Sequence, residues 1–303
     1  MLSAVTESKR DLVSICDLSK DEIEHILRFA KEMKEKKPSD LCKGQILAIC
    51  FYEPSTRTRL SFEAAMQKLG GSCIGFAEGA ITSASKGETL YDAMRVIGSY
   101  VDAIAFRHPH DGAARVAADA SQKPLINAGD GANQHPTQTL IDLFTIQSLF
   151  GTLEHLHIAV SGDLKHARAV HSLIKALSYY PVRLYFIAPE PFQLADRDAA
   201  ELRKKGVKFS FHVDFAEVLP KVDLLYMTRI QKERFAAPFV PIERLKKEHL
   251  ENVKPHFRIL HPLPRQEELA ASFDASPYAA YFQQASNGVA VRMAVLATLL
   301  EKL

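Results

Sequence analysis

Long hydrophobic runs are missing from this chain: no apolar stretch approaches the roughly 20 residues needed to span a bilayer, and residues 1–10 are too polar for a secretory signal. A charge excess is missing as well. Lys and Arg number 38 against 36 Asp and Glu, a net charge of +2, so no global field points to nucleic acid or to an anionic membrane, and any anion site has to be local. Cysteine is scarce. Cys16, Cys42, Cys50 and Cys73 contain no C-x-x-C pair, which predicts reduced, mostly buried thiols and excludes a structural zinc site. Catalytic signatures of several large classes are also absent. There is no H-E-x-x-H, no G-x-S-x-G and no P-loop, and Gly129-Asp130-Gly131 lacks the third glycine of a dinucleotide turn. These absences leave a soluble, cytoplasmic protein with no metal or organic cofactor as the expectation.

What is present is enough for two cores. A chain of 303 residues with 47% hydrophobic and 24% charged content can build two compact domains. Ser19 and Glu22 form a capping-box pattern that predicts a helix through Lys36, with Ile23, Ile26, Leu27 and Ala30 on one face. Short apolar runs then alternate with helical stretches. Strands are expected at 45–51, 73–76, 101–106 and 125–127, with helices near 56–69, 88–98 and 111–120. After a helix over 136–150 a second series follows, with strands at 157–160, 182–187, 207–211, 224–227 and 258–260. The reading is an α/β protein with two parallel-sheet domains. One covers 1–136 and is completed by an apolar C-terminal helix at about 288–303, the other covers 151–285, and 137–150 links them.

Chemistry-bearing residues cluster where predicted strands end. Ser55-Thr56-Arg57-Thr58-Arg59 follows the first strand and opens a helix whose buried stripe is Phe62, Met66 and Leu69. Unpaired N–H groups at a helix start carry roughly half a positive charge, so hydroxyls and guanidiniums there suit a small multivalent anion. Taken alone the segment also fits an ordinary capped helix with solvated arginines. Arg107 follows the third strand, where it either joins the anion site or pairs with Asp111 in a surface loop. His135 lies just outside the helix that begins at Pro136, and Gln138 shares its pocket; a His donor there stabilises a developing oxyanion, although a lone His is more often structural. Arg168 and Arg229 follow strands of the second series, and the planar guanidinium fork suits a carboxylate. In Lys232-Glu233-Arg234, Lys232 reads best as part of a solvated run, and for Arg234 both that reading and a place at the crevice edge stay open. His261-Pro262-Leu263-Pro264-Arg265 is a rigid loop whose carbonyls can accept from an NH₂.

Taken together, F-Y-E-P-S-T-R-T-R (51–59), F-R-H-P (106–109), N-A-G-D-G-A-N-Q-H-P-T-Q-T-L-I-D (127–142), G-D-L-K-H-A-R-x-V-H-S (162–172), Y-M-T-R-I-Q-K-E-R (226–234) and L-H-P-L-P-R (260–265) resemble the catalytic chains of the aspartate carbamoyltransferases, collinearly from about Gly44 to the C-terminal helix. The resemblance implies the carbamoyltransferase fold and transfer of the carbamoyl group of carbamoyl phosphate to the amino group of L-aspartate, a step of pyrimidine synthesis. It implies that Ser55, Thr56, Arg57, Thr58 and Arg107 hold the phosphate. Thr58, Arg107 and His135 then reach the carbonyl oxygen, and Gln138 with the carbonyls of Pro262 and Leu263 orients the carbamoyl NH₂. Arg168, Arg229 and Gln231 receive the carboxylates of aspartate.

In this family a loop of a neighbouring chain completes each site in a homotrimer, and Ser83 and Lys86 match that loop, which is one residue shorter than usual here. Read alone, it is a flexible charged loop with Lys86 solvated. The stretch between Arg234 and His261 is shortened too, with Pro238 and Pro241. The resemblance also admits regulatory chains or dihydroorotase as partners, which surface contacts decide and no motif reveals. Ornithine carbamoyltransferase is the nearest rival function, and Arg229 argues against it because a guanidinium repels the ammonium of ornithine. A non-catalytic scaffold would require a lost catalytic residue, and none is lost.

Overall fold

The computed structural model describes residues 9–230 and 243–302. Backbone packing divides the chain into two compact units, Met1–Thr137 together with Val289–Leu303, and Gln138–Gly288. No helix of the described residues is long and apolar enough to cross a membrane.

The first unit is built on four parallel strands, β1 (Ile46–Phe51), β2 (Ser72–Phe76), β3 (Ala103–His108) and β4 (Leu125–Asp130), in the order β2-β1-β3-β4. Four helices accompany them: α1 (Lys20–Lys36), α2 (Thr56–Lys68), α3 (Leu90–Gly98) and α4 (Ala113–Ala120). The capping box before α1 forms both of its bonds. Ser19 Oγ accepts from the Glu22 N–H, and the Glu22 carboxylate accepts from the Ser19 N–H at 2.7 Å. That backbone bond is the main reason the Glu22 carboxyl sits below its ordinary pKa. α3 and α4 bury Ala93, Met94, Ala114, Ala117 and Ala118 against Ala48, Cys50, Ile104 and Phe106 of the sheet. Phe62, Met66 and Leu69 form the buried stripe of α2, and replacing Phe62 with Ala would cost about 3–5 kcal/mol. The guanidinium of buried Arg292 stacks 4.9 Å from the Phe62 ring.

The second unit has five parallel strands, β5 (His157–Ser161), β6 (Arg183–Ile187), β7 (Lys208–His212), β8 (Leu224–Met227) and β9 (Arg258–Leu260), in the order β7-β6-β5-β8-β9. Its helices are α5 (Pro136–Phe150), which begins just before the division, α6 (Arg168–Leu177), α7 (Asp196–Lys204), the single turn α8 (Phe215–Val218) and the first half of α9 (Tyr281–Leu299). Phe215, Leu225, Phe257, Ile259 and Tyr281 lie at the centre of one of its apolar clusters.

Several element limits differ from the sequence expectation. β3 begins at Ala103 and runs on through Arg107 and His108, because Phe51 of β1 pairs with Arg107 and Asp130 of β4 with His108. β4 extends to Asp130 for the same reason. α9 begins at Tyr281 and not at Gly288, since buried Gln284 and Asn287 find hydrogen-bond partners at Asp142 and Thr145. The cysteines are all free, but only Cys42 and Cys50 are buried; Cys73 lies on the edge strand β2 and Cys16 is exposed. The expectation of mostly buried thiols therefore holds for half of them.

One glycine is dictated by a close approach. Gly162 follows β5 at φ 116°, and a Cβ there would lie 2.0 Å from the carbonyl oxygen of Thr228, at the end of β8. Gly162→Ala is expected to destabilise the protein by at least about 2 kcal/mol, read as a lowered urea midpoint with an unchanged slope.

Candidate functional site

Both strand orders contain a reversal of winding, and at each reversal the loops after adjacent strands diverge and leave a crevice at the C-terminal edge. In the first unit the reversal falls between β1 and β3. In the second it falls between β5 and β8. Ser55, Thr56, Arg57, Thr58 and Arg107 sit at the first and Arg168 and Arg229 at the second, while the other described candidates lie on neighbouring elements.

At the first crevice β1 leads through Glu53 and Pro54 into α2. Ser55 is the N-cap residue, yet its side chain makes no capping bond. The first turn of α2 holds Arg57 and Arg59 and no acidic residue, the reverse of the arrangement a helix N-terminus prefers by about 0.3–1 kcal/mol per charge. An anion at this end offsets that mismatch. The two arginines are differently engaged. Arg59 pairs with Glu63 one turn on at 2.8 Å, whereas Arg57 is exposed. Arg107, at the end of β3, has a side chain only 12% exposed; it pairs with Glu53 at 2.5 Å and donates from Nη1 to the Ala128 carbonyl at 3.2 Å. It does not pair with Asp111, whose Oδ1 accepts from the Ala132 N–H. Arg107 is therefore a half-buried side chain held from two sides, and the surface-loop alternative is set aside.

Beyond β4, Asp130 is fully buried and organises the turn that leads to His135. Its carboxylate accepts from the Gly112 N–H at 2.9 Å, the Asn127 side chain at 2.8 Å, the Asn133 side chain at 3.1 Å and the Gln134 N–H at 3.2 Å. His135 is 7% exposed, with Thr137 Oγ1 3.4 Å from its Nδ1. Ser83 and Lys86 lie on a short helical turn after β2, both exposed, and within the chain neither bonds to Ser55, Thr56, Arg57, Thr58, Arg107 or His135.

At the second crevice Arg168 opens α6, half-buried, after a turn in which buried Asp163 accepts from the His166 N–H at 3.0 Å. Arg229 follows β8, half-buried, and donates from Nη1 to the Ile230 carbonyl at 3.3 Å. Gln231, Lys232, Glu233, Arg234, Pro238 and Pro241 fall outside the described residues. Beyond β9, His261 is buried and bridges the loop: its Nδ1 accepts from the Leu263 N–H at 2.8 Å and its Nε2 faces Glu268 at 2.9 Å, which puts the ring proton on Nε2. Burial alone would raise the Glu268 carboxyl, but bonds from His261 and the Gln266 N–H outweigh it and hold the group below its ordinary pKa. Leu263 takes φ 56°. A left-handed leucine costs on the order of 1 kcal/mol or more, so the loop holds Pro262 and Leu263 in a set direction.

Gln138 is half-exposed on the first turn of α5, and its Nε2 donates to Asp142 at 2.7 Å. Asp142 was not singled out from the sequence. Burial pushes its carboxyl up to about 7, and the bonds from Gln284, Gln138 and Tyr226 offset only part of that. The available signal was an isolated carboxylate within an otherwise uncharged helix, since acids are almost never fully buried unless paired. Glu53, the partner of Arg107, and Asp130, the organiser of the His135 turn, were likewise read only as parts of motifs.

Two α/β units, each with arginines at its winding reversal, suit ligands that are small anions, and similarity to known families places the chain among the transferases. The chain belongs to the aspartate/ornithine carbamoyltransferase family: the family's carbamoyl-P binding domain model matches residues 10–148 and its Asp/Orn binding domain model matches residues 154–299. The second match follows the sequence through α9, whereas packing assigns Val289 onward to the first unit. The aspartate carbamoyltransferase catalytic subunit of Chromobacterium violaceum is 48% identical over 298 residues, covering 97% of this chain and 99% of that one. Catalytic subunit 2 of the Shewanella halifaxensis enzyme is 49% identical, with 96% of each chain covered. Among solved structures, the catalytic subunit of M. Jannaschii aspartate transcarbamoylase superposes with a TM-score of 0.89 at 46% identity, over 96% of this chain and 98% of that one. The Trypanosoma cruzi enzyme in complex with N-(phosphonacetyl)-L-aspartic acid gives 0.89 at 37% identity, with 98% of each chain covered.

Proposed function

We propose that this chain is the catalytic subunit of an aspartate carbamoyltransferase, moving the carbamoyl group of carbamoyl phosphate onto the α-amino group of L-aspartate to give N-carbamoyl-L-aspartate and phosphate in pyrimidine synthesis. The observation that carries the choice of acceptor is the arginine pair Arg168 and Arg229 at the β5/β8 reversal, suited to a dicarboxylate and hostile to an ammonium.

The first unit is the carbamoyl phosphate-binding domain and the second the aspartate-binding domain. Ser55, Thr56, Arg57, Thr58 and Arg107 take the phosphate. Thr58, Arg107 and His135 bind the carbonyl oxygen, while Gln138 and the carbonyls of Pro262 and Leu263 accept from the NH₂. Arg168, Arg229 and Gln231 hold the aspartate carboxylates. The uncharged amine attacks the carbonyl carbon, and Arg107 and His135 stabilise the oxyanion that develops. The tetrahedral adduct then collapses: the bond from carbon to the phosphate oxygen breaks, and the phosphate leaves with the proton of the amine. Exposed Ser83 and Lys86 suit the completion of a neighbouring chain's site in a homotrimer. The enzyme on this reading is cytoplasmic.

The test offers carbamoyl phosphate to the purified chain with L-aspartate and with L-ornithine in separate reactions. Carbamoyl-aspartate alone is the expected product. Citrulline would keep the phosphate half and overturn the acceptor assignment, and no product with either would leave the family's fold without its chemistry.

A further inference from the structure

We infer that Asp142 is a positioning residue that fixes the amide of Gln138 with its carbonyl oxygen directed at the carbamoyl NH₂. The inference rests on the carbamoyl phosphate half of the function proposed above.

Asp142 is fully buried one helical turn beyond Gln138 on α5. Its Oδ1 accepts from Gln138 Nε2 at 2.7 Å and from Gln284 Nε2 of α9 at 2.7 Å, and its Oδ2 accepts from the Tyr226 hydroxyl of β8 at 2.9 Å. Three elements thus converge on one side chain. The far end of Gln284 accepts from the His261 N–H at 2.8 Å, so the same carboxylate is linked to the strand end that carries Pro262 and Leu263.

An amide has a donor end and an acceptor end, and a carboxylate only accepts. Asp142 therefore holds the NH₂ of Gln138 and leaves the carbonyl oxygen, which makes no hydrogen bond to the described residues, at the half-exposed end of the side chain. Protonation does not reverse this. A proton on Oδ2 is donated to Tyr226, and Oδ1 still accepts from both amides.

Stability does not account for a carboxylate at this position. Its neighbours Leu140, Ile141, Leu143 and Phe144 are buried and apolar, and taking a carboxylate out of water costs several kcal/mol even when it is well paired. Without Asp142 the Gln138 amide would present either end, and binding would bear the ordering of that side chain.

The experiment measures, by calorimetry, the affinity of wild type and variants for carbamoyl phosphate and, separately, for inorganic phosphate, which has no NH₂ to be read. Asp142→Leu is expected to lose about tenfold to a hundredfold in carbamoyl phosphate affinity while phosphate affinity stays within about twofold. Asp142→Asn keeps an acceptor at Oδ1 and should restore most of the loss. Gln138→Glu, at a half-exposed position that tolerates change, keeps an acceptor for the substrate but sets a carboxylate against Asp142; it should lose carbamoyl phosphate preference as Asp142→Leu does, and it carries the test where Asp142→Leu does not fold.

A folded Asp142→Leu with wild-type preference, an Asn variant as impaired as the Leu variant, or a Gln138→Glu variant with normal preference overturns the positioning role. A wild-type chain that binds carbamoyl phosphate no tighter than phosphate overturns the underlying function first, and the inference falls with it.

Discussion

Arg57→Ala is expected to lower kcat/KM for carbamoyl phosphate by about a thousandfold while leaving the thermal midpoint within a degree or two of wild type. Both halves of that expectation come from the same geometry. The side chain is exposed in the first turn of α2, so its removal takes away no core volume. It stands two residues past the N-cap Ser55, so on the proposed function its removal takes away a charged, two-pronged donor to the phosphate. Arg59, two residues on, is the internal control. Its guanidinium is engaged by Glu63, and Arg59→Ala should cost less than about tenfold. Equal losses in the two variants would mean that general positive charge, and not a particular contact, holds the anion. Near-normal turnover by Arg57→Ala would remove it from the site.

Arg229→Ala is expected to raise KM for L-aspartate about a hundredfold and to lower kcat, with carbamoyl phosphate affinity unchanged. Steady-state kinetics at saturating carbamoyl phosphate, paired with calorimetry on the donor alone, separates the two ligands. Arg229→Lys sharpens the result, because a point charge retains attraction but not the planar fork, and it should recover only a small part of the loss. Unchanged aspartate kinetics would exclude Arg229 from acceptor binding and with it the main physical reason for choosing aspartate over ornithine.

Elements with a strong local signal were legible in the sequence. The capping box before α1, the apolar runs of β8 and β9, and the proline that starts α5 all speak through neighbours in the chain, and the structure agrees at those positions. Where polar residues are satisfied by distant partners the local signal failed. Arg107 and His108 read as a loop after β3, yet they are its last residues, held by pairing with β1 and β4. The start of α9 was hidden by Gln283, Gln284, Ser286, Asn287 and Gly288, a polar stretch whose buried members bond to α5. The site followed the same division. Its candidate residues were visible as motifs at strand ends, whereas Glu53, Asp130 and Asp142, which bond to Arg107, to the turn before His135 and to Gln138, depend on contacts that spacing alone does not encode.

The floor of the second crevice has almost no clearance. Thr228 donates its N–H to the Ser161 carbonyl at 2.9 Å, and the carbonyl of Thr228 lies so near Gly162 that a single methyl group does not fit between the two strand ends. On the proposed function, an acceptor amino acid longer by one carbon gains no room here by prising β5 and β8 apart, because the gap is set by main chain and not by side chains. Redesign of the acceptor therefore reduces to exchanging groups on the rim, with Arg229 first among them, over a base that stays invariant.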